Sequence, residues 1–265
     1  MSLIWSLSAT AANCPPQHID ESARVNYVYD GDTLQLEDGR KIRLPGIDTP
    51  EIHSRHRAVP ADIKARGELA KSALQQQLNR ARNRIGLTYA PQRLDRYGRT
   101  LAHIFLPDGT NLQAWLIEQG HAIAFTTPPA DRMSACYQAI EAIARQARRG
   151  IWQMSQYHLK RVSELNHNSA GFRRIQAKVT HIEQNRYGVT FFLDNRLEVR
   201  IYRHDLANFN AHMLNTLPGK NVRLRGWLRP EKIRNKQNNN QTSPPTDSTL
   251  YKMNLRHPDA IKVLE

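Results

Sequence analysis

At 265 residues, of which 40% are hydrophobic, the chain is long enough for two domains, each with its own core. Its 38 Lys and Arg against 24 Asp and Glu give a formal net charge of +14. Such an excess favours a polyanionic partner, nucleic acid ahead of an anionic membrane surface, because each neutralised phosphate releases condensed counterions.

Taken in chain order, residues 1–22 open on Leu3-Ile4-Trp5-Ser6-Leu7 followed by small residues from Ser8 to Ala12. This resembles the end of a secretory signal without its basic start, so a periplasmic or secreted protein is expected, with a cytoplasmic one as the alternative. No apolar run is long enough to span a bilayer. The two cysteines, Cys14 and Cys136, form no Cys-x-x-Cys pair, which removes zinc ribbons and thioredoxin-like sites. They are compatible with one disulfide in an oxidising compartment or with two unrelated thiols.

Residues 23–29 alternate as a strand, and residues 33–36 and 41–47 follow as two more, separated by Asp30-Gly31 and Asp38-Gly39 turns. Residues 62–83 change to a helical period through Ile63, Ala70, Leu74 and Leu78. A strand pair is expected at 85–94 and 100–106, then a short helix around Leu112 to Leu116 stopped by Gly120. A last helix is expected from an N-cap at Asp131, with Met133, Cys136, Ile140, Ile143 and Ala147 on its apolar face. This order predicts a mainly β, α+β architecture for residues 23–152: a small five-stranded barrel capped by three helices.

Residues 153–170 are polar and read as a linker. Residues 171–265 return to strand-like runs at 175–182, 189–193, 197–202, 222–228, 250–255 and 260–264, a second small β-barrel. It is interrupted at 234–248 by a stretch of Asn, Gln, Pro, Ser and Thr too polar to bury.

Chemistry concentrates in the first barrel. Taken singly, Asp30-Gly31-Asp32-Thr33 is a turn and Asp48-Thr49-Pro50-Glu51 a loop entry. Together they place Asp32 and Asp48 at the ends of neighbouring strands, where hard carboxylate oxygens suit Ca²⁺ or Mg²⁺ and the carbonyl of Thr49 can add a ligand. Glu51 just beyond can accept a proton from an attacking water. Arg43 and Arg99 offer planar guanidinium forks for phosphoryl oxygens. Metal, base and two arginines suffice for phosphodiester hydrolysis.

The stretches Val28-Tyr29-Asp30-Gly31-Asp32-Thr33, Ile42-Arg43-Leu44-Pro45-Gly46-Ile47-Asp48-Thr49-Pro50-Glu51 and Asp95-Arg96-Tyr97-Gly98-Arg99 resemble, in order and spacing, the staphylococcal nuclease (thermonuclease) family. The resemblance implies an OB-fold endonuclease acting on DNA and RNA, using one Ca²⁺ and leaving 3′-phosphate ends. It implies Asp32, Asp48 and the Thr49 carbonyl as calcium ligands, and Arg43, Glu51 and Arg99 at the catalytic positions. Asp30 would support the metal ligands from behind, and Tyr97 would face the nucleotide. Relatives that pair such a domain with an N-terminal Cys-Pro suggest a Cys14–Cys136 disulfide.

Other features depart from the pattern. The loop with His53, Arg55, His56 and Arg57 reads as solvated surface, and Phe125 as either a base contact or core. The C-terminal unit resembles OB-type nucleic-acid-binding domains more loosely, with Phe191, Tyr202 and Trp227 as either stacking residues or core. A monomer is expected. The competing reading is a non-catalytic nucleic-acid-binding protein on a nuclease-like scaffold, which would have no need of the full set Asp32, Arg43, Asp48, Glu51 and Arg99.

Overall fold

The computed structural model describes residues 14–54, 58–129, 132–166, 168–232 and 249–264. Residues 1–13 of the signal-like segment, Arg55 to Arg57, the expected N-cap Asp131 and the polar stretch 234–248 lie outside the described residues. The chain divides into two compact units, Met1–Gln153 and Met154–Glu265.

In the first unit, strands β1 (Glu21–Val28), β2 (Thr33–Leu36) and β3 (Lys41–Arg43) form a meander. Gly39 closes the second turn with φ +87°, a left-handed conformation that suits glycine. The sequence predicts one strand over 41–47, but the chain breaks at Leu44-Pro45-Gly46 and resumes as β4 (Ile47–Asp48). Proline offers no N–H to a ladder, and Gly46 turns the chain at φ +80°. Helix α1 (Ala61–Arg80) follows, burying Ile63, Gly67, Ala70, Ala73, Leu74 and Leu78.

Strands β5 (Arg84–Leu94) and β6 (Thr100–Phe105) complete a closed barrel in the order β1-β2-β3-β6-β5, with β3 and β6 parallel. This is the five-stranded OB-fold frame. Val25, Val28, Leu34, Ile42, Leu87 and Ile104 are among its core, with Leu74 and Leu78 of α1 packed on them. Helix α2 (Leu112–Glu118) begins at Asn111, whose side-chain oxygen accepts the Ala114 N–H at 3.0 Å. Strand β7 (Ile123–Ala124) pairs with β4, and α3 (Met133–Gln146) covers the end of the unit.

The buried face of α3 differs from the sequence expectation. Tyr137, Ile140, Glu141 and Ala144 point inward, and Ile143 is 57% exposed. The face is turned by polar residues that an apolar count passes over. Tyr137 Oη lies 2.8 Å from His103 Nδ1 and donates to Asn111 Oδ1 at 3.2 Å. Glu141 accepts the Ala124 N–H at 2.9 Å. These are buried groups with partners, as desolvation requires. Asn111 also donates to the Cys14 carbonyl at 3.0 Å, and Cys14 is disulfide-bonded to Cys136 on α3 with Cα atoms 5.9 Å apart.

Of residues 153–170, read as a linker from their polarity, all but Gln153 belong to the second unit, and they carry regular structure. Strand β8 (Leu159–Arg161) pairs in parallel with β9 (Gly171–Asn185), flanked by short 3-10 turns. The composition is polar, but Tyr157, Val162 and Leu165 are buried, and those few apolar anchors suffice to hold it. Strands β10 (Gly188–Leu193) and β11 (Leu197–Tyr202), helix α4 (Ala211–Asn215), β12 (Asn221–Lys232), β13 (Thr249–Asn254) and β14 (Ile261–Leu264) follow. Pairing of β12 with β9 closes a second ring, β9-β10-β11-β13-β12. Its strand order is that of the first ring, and its third and fifth strands, β11 and β13, are again parallel. Phe191 is core, Trp227 packs edge-on against Phe172 with centroids 5.6 Å apart, and Tyr202 is half-buried.

Candidate active site

Three loops and two strands bring the chemistry-bearing residues to one rim of the first barrel. The loop between β1 and β2 carries Asp30 and Asp32. Asp30 Oδ1 accepts the Asp32 N–H at 3.0 Å, a local turn bond that sets the direction of Asp32. Asp32 is buried. Its Oδ1 accepts the Thr33 hydroxyl at 3.0 Å, and its Oδ2 accepts both the N–H and the hydroxyl of Thr49 at 3.2 Å. The two acidic segments are therefore joined directly, Asp32 to Thr49.

Arg43, on the last residue of β3, lies between the carboxylates. Its Nη2 is 3.2 Å from Asp32 Oδ2 and 3.5 Å from Asp48 Oδ1. The same guanidinium donates to the carbonyls of Leu44 and Ile47, bracing the break between β3 and β4 that separates Arg43 from Asp48. Burial lowers the guanidinium's proton affinity, but the charges of Asp32, Asp48, Asp30 and Glu51 outweigh it, and its pKa is raised.

The acids crowd one another. Burial, then the charge of Asp32, pushes Asp30 up to about 6. The same two causes raise Asp48 and Glu51, against the opposing pull of Arg43. Four carboxylates thus share this rim with the guanidinium groups of Arg43 and Arg99. Among the described residues, no group of three or more His, Cys, Asp or Glu side chains forms a metal cluster. Asp32 and Asp48 alone would leave most of a hard cation's shell to a main-chain carbonyl and water, ligands that Ca²⁺ accepts.

Glu51 sits on the exposed loop before α1, where the charges of Asp32, Arg43 and Arg99 act on it. Arg99 closes the tight turn after β5, and its Nη1 donates to Thr33 Oγ1 at 3.3 Å, which links it to the Asp32 loop. Tyr97 is 68% exposed at the tip of that turn, with the guanidinium carbons of Arg96 and Arg99 4.7 and 5.6 Å from its ring centroid. The set Asp30, Asp32, Arg43, Asp48, Thr49, Glu51 and Arg99 is brought to one rim. His53 is exposed, and Phe125 is half-buried with its N–H on the Gly46 carbonyl at 2.9 Å.

Sequence reasoning assigns no supporting role to Asp95, Gly31 or Gly67. Asp95 accepts the Arg99 Nε–H at 2.7 Å; its signal was its place at the head of the Asp95-to-Arg99 stretch, an acid four residues before an arginine in a turn. Gly31 and Gly67 let the acidic loops approach α1. A Cβ on Gly31 would meet Ala70 Cβ at 2.7 Å, and one on Gly67 would meet the Pro50 carbonyl oxygen at 2.5 Å. Gly67 and Ala70 thus form a small-residue floor beneath both loops.

An OB barrel with paired carboxylates and two arginines at one rim is the framework of a nuclease. The family model described as staphylococcal nuclease homologue matches residues 41–154. A thermonuclease of Staphylococcus intermedius is 33% identical over 136 residues, which cover 50% of this chain and 77% of that protein. An uncharacterized endonuclease of Escherichia coli is 32% identical over 136 residues, 50% of this chain and 78% of its own length. Endonuclease YhcR of Bacillus subtilis is 28% identical over 135 residues, 48% of this chain and 11% of that protein. The chain belongs to the staphylococcal nuclease family.

Proposed function

We propose that the chain is a calcium-dependent endonuclease that hydrolyses phosphodiester bonds of DNA and RNA at the rim of the first barrel, leaving 3′-phosphate ends. The observation that carries this reading is the convergence of Asp32 and Asp48 on one guanidinium nitrogen of Arg43, with Glu51 and Arg99 beside them. Asp32, Asp48 and the Thr49 carbonyl would hold the calcium, which when bound supplies positive charge to a phosphoryl oxygen and lowers the pKa of a nearby water. Arg43 and Arg99 hold the equatorial oxygens and stabilise the charge that grows on them in the transition state. Glu51 takes a proton from water as its oxygen bonds to phosphorus. The P–O5′ bond breaks, and the departing 5′ oxygen is protonated from solvent.

A second observation supports nucleic-acid contact by the second barrel. His181 and Phe192 stack across β9 and β10 with centroids 4.3 Å apart, and Arg200 lies 5.8 Å from the Tyr202 ring on β11, all on the outward side of that sheet. Bases stack on such rings with little regard to sequence. Export belongs to the same proposal, because a disulfide persists in oxidising compartments. Among the described residues, no helix is long and apolar enough to cross a membrane.

The test is a gel assay on single- and double-stranded DNA and RNA with Ca²⁺, Mg²⁺ or chelator. Cleavage with Ca²⁺ that chelator, Glu51→Gln and Arg99→Ala each abolish is the expected result. Full activity in either variant would remove the assigned roles. Binding without cleavage under all conditions would favour the non-catalytic scaffold.

A further inference from the structure

The outer face of β1, β2 and β3 carries residues that the catalytic set leaves unused. Val28, Leu34 and Ile42 point into the core, so their neighbours in the strands point outward. Cross-strand register sorts the outward residues into two rows. Tyr29, Thr33 and Arg43 form one, through the Tyr29 N–H on the Thr33 carbonyl at 2.9 Å and the pairing of Thr33 with Arg43. Tyr27, Gln35 and Lys41 form the other. Arg43 and Lys41 stand two residues apart on one strand, a rise of roughly 7 Å.

On this face Tyr27 is 49% exposed and Tyr29 37%. Their rings meet edge to face with centroids 5.0 Å apart, and Tyr29 Oη donates to Gln35 at 3.2 Å. Lys41 Nζ lies 4.9 Å from the Tyr29 centroid, and Lys71 Nζ of α1 lies 5.4 Å from that of Tyr27. Neither ammonium has a carboxylate within ion-pair distance among the described residues. An aromatic pair of this kind contributes about 0.5–1.5 kcal/mol to stability by itself. That role does not call for two lysines without acidic partners, nor for leaving the rings exposed beside a phosphate-binding arginine.

We propose that Tyr27, Tyr29, Lys41 and Lys71 form a track for the nucleotides flanking the scissile phosphate of a single strand. Unpaired bases stack on the tyrosines, and the two ammonium groups meet the neighbouring phosphates. A duplex keeps its base faces stacked inside and cannot use the rings, so the track favours single-stranded DNA or RNA. The inference rests on the nuclease reading for the position of the scissile phosphate.

The experiment compares the full chain with Tyr27→Ala/Tyr29→Ala and Lys41→Gln/Lys71→Gln. Cleavage of a single-stranded oligonucleotide is measured beside that of a nitrophenyl ester of thymidine 5′-phosphate, which carries a scissile phosphodiester with one nucleoside. Each double variant is expected to raise KM for the oligonucleotide roughly tenfold, with kcat changed much less. Its loss on the ester is expected to be several-fold smaller. An oligonucleotide KM within twofold of the parent in both variants overturns the track, and so does an equal loss on both substrates. If the parent cleaves neither substrate, the nuclease reading has failed separately. Fluorescence anisotropy of a labelled single strand then decides: weaker binding by both variants upholds the track, and unchanged binding overturns it. The lysine pair, both on the surface, keeps the test valid should the tyrosine variant misfold.

Discussion

Asp95 Oδ2 accepts the Nε–H of Arg99 at 2.7 Å, while Asp95 Oδ1 takes the main-chain N–H groups of Tyr97 and Arg99 at 2.8 and 2.9 Å. One carboxylate therefore closes the turn and aims the guanidinium at its end. Asp95→Ala is expected to lower kcat/KM about 10- to 100-fold, since small misplacements of a positioned group cost that much. The lost charge-assisted bonds are expected to cost about 1.5–3 kcal/mol of stability. Steady-state kinetics with a thermal melt checks both, and an unchanged kcat/KM would break the link from Asp95 to Arg99.

Calcium is expected to raise the melting temperature, because a ligand of the folded state stabilises it by about 2.7 kcal/mol at a hundredfold excess over Kd. Asp48→Asn should remove most of that shift while leaving the chelated protein folded. Scanning fluorimetry with Ca²⁺ and with chelator reads it out. An equal shift in parent and variant would take Asp48 out of the site.

The Cys14–Cys136 bridge spans 122 residues of chain. Its removal by Cys14→Ser/Cys136→Ser is expected to cost about 2–5 kcal/mol, measured by urea unfolding. Thiol titration of the denatured, unreduced protein should find no reactive cysteine.

His121 packs at 6.1 Å from the Trp115 ring, and burial, then the charge of Arg66, holds its pKa below the ordinary 6.5. The unfolded chain therefore takes up this proton at a higher pH than the folded chain does. The stability tied to neutral His121 is full above about pH 6.5 and falls as pH drops toward the lowered value. His121→Gln should lose less stability than the parent between pH 7.5 and pH 5.5. Parallel unfolding curves at the two pH values test this, and identical losses would refute it.

Gly67→Ala should gain helix propensity of about 1 kcal/mol yet lose activity. The added methyl would meet the Pro50 carbonyl oxygen at 2.5 Å and push the Glu51 loop outward. Crowding of this kind costs roughly 1–3 kcal/mol. A fully active variant would show that the loop's close seat on α1 is dispensable.

The five strands of the first barrel were legible because turn pairs and period-two alternation mark them, and α1 because its apolar period is long. The break after Arg43 was written in Pro45 and Gly46, but a run of apolar residues masked it. The inward face of α3 was not legible, since Glu141 and the hydroxyl of Tyr137 are buried against groups far along the chain, Ala124 and His103 among them. The same limit hid β8, whose parallel pairing with β9 is a tertiary choice. At the rim the residue types and their spacing were readable. The junction of Asp32 with Thr49, the seat of Arg43 between two acids and the hold of Asp95 on Arg99 were not, because each depends on how the loops meet.

Both rings share one strand order, yet the connection between third and fourth strands differs. In the first it holds the 20-residue α1; in the second, only the five residues of α4 and short turns. Gly67 and Ala70 lie on α1, and without a platform of that length two acidic loops have nothing to rest against. The connector of the first ring therefore supplies what the shared strand order does not, a floor for both acidic loops. A protein engineer wishing to make the second ring reactive would begin by lengthening the segment after Tyr202, before altering any strand.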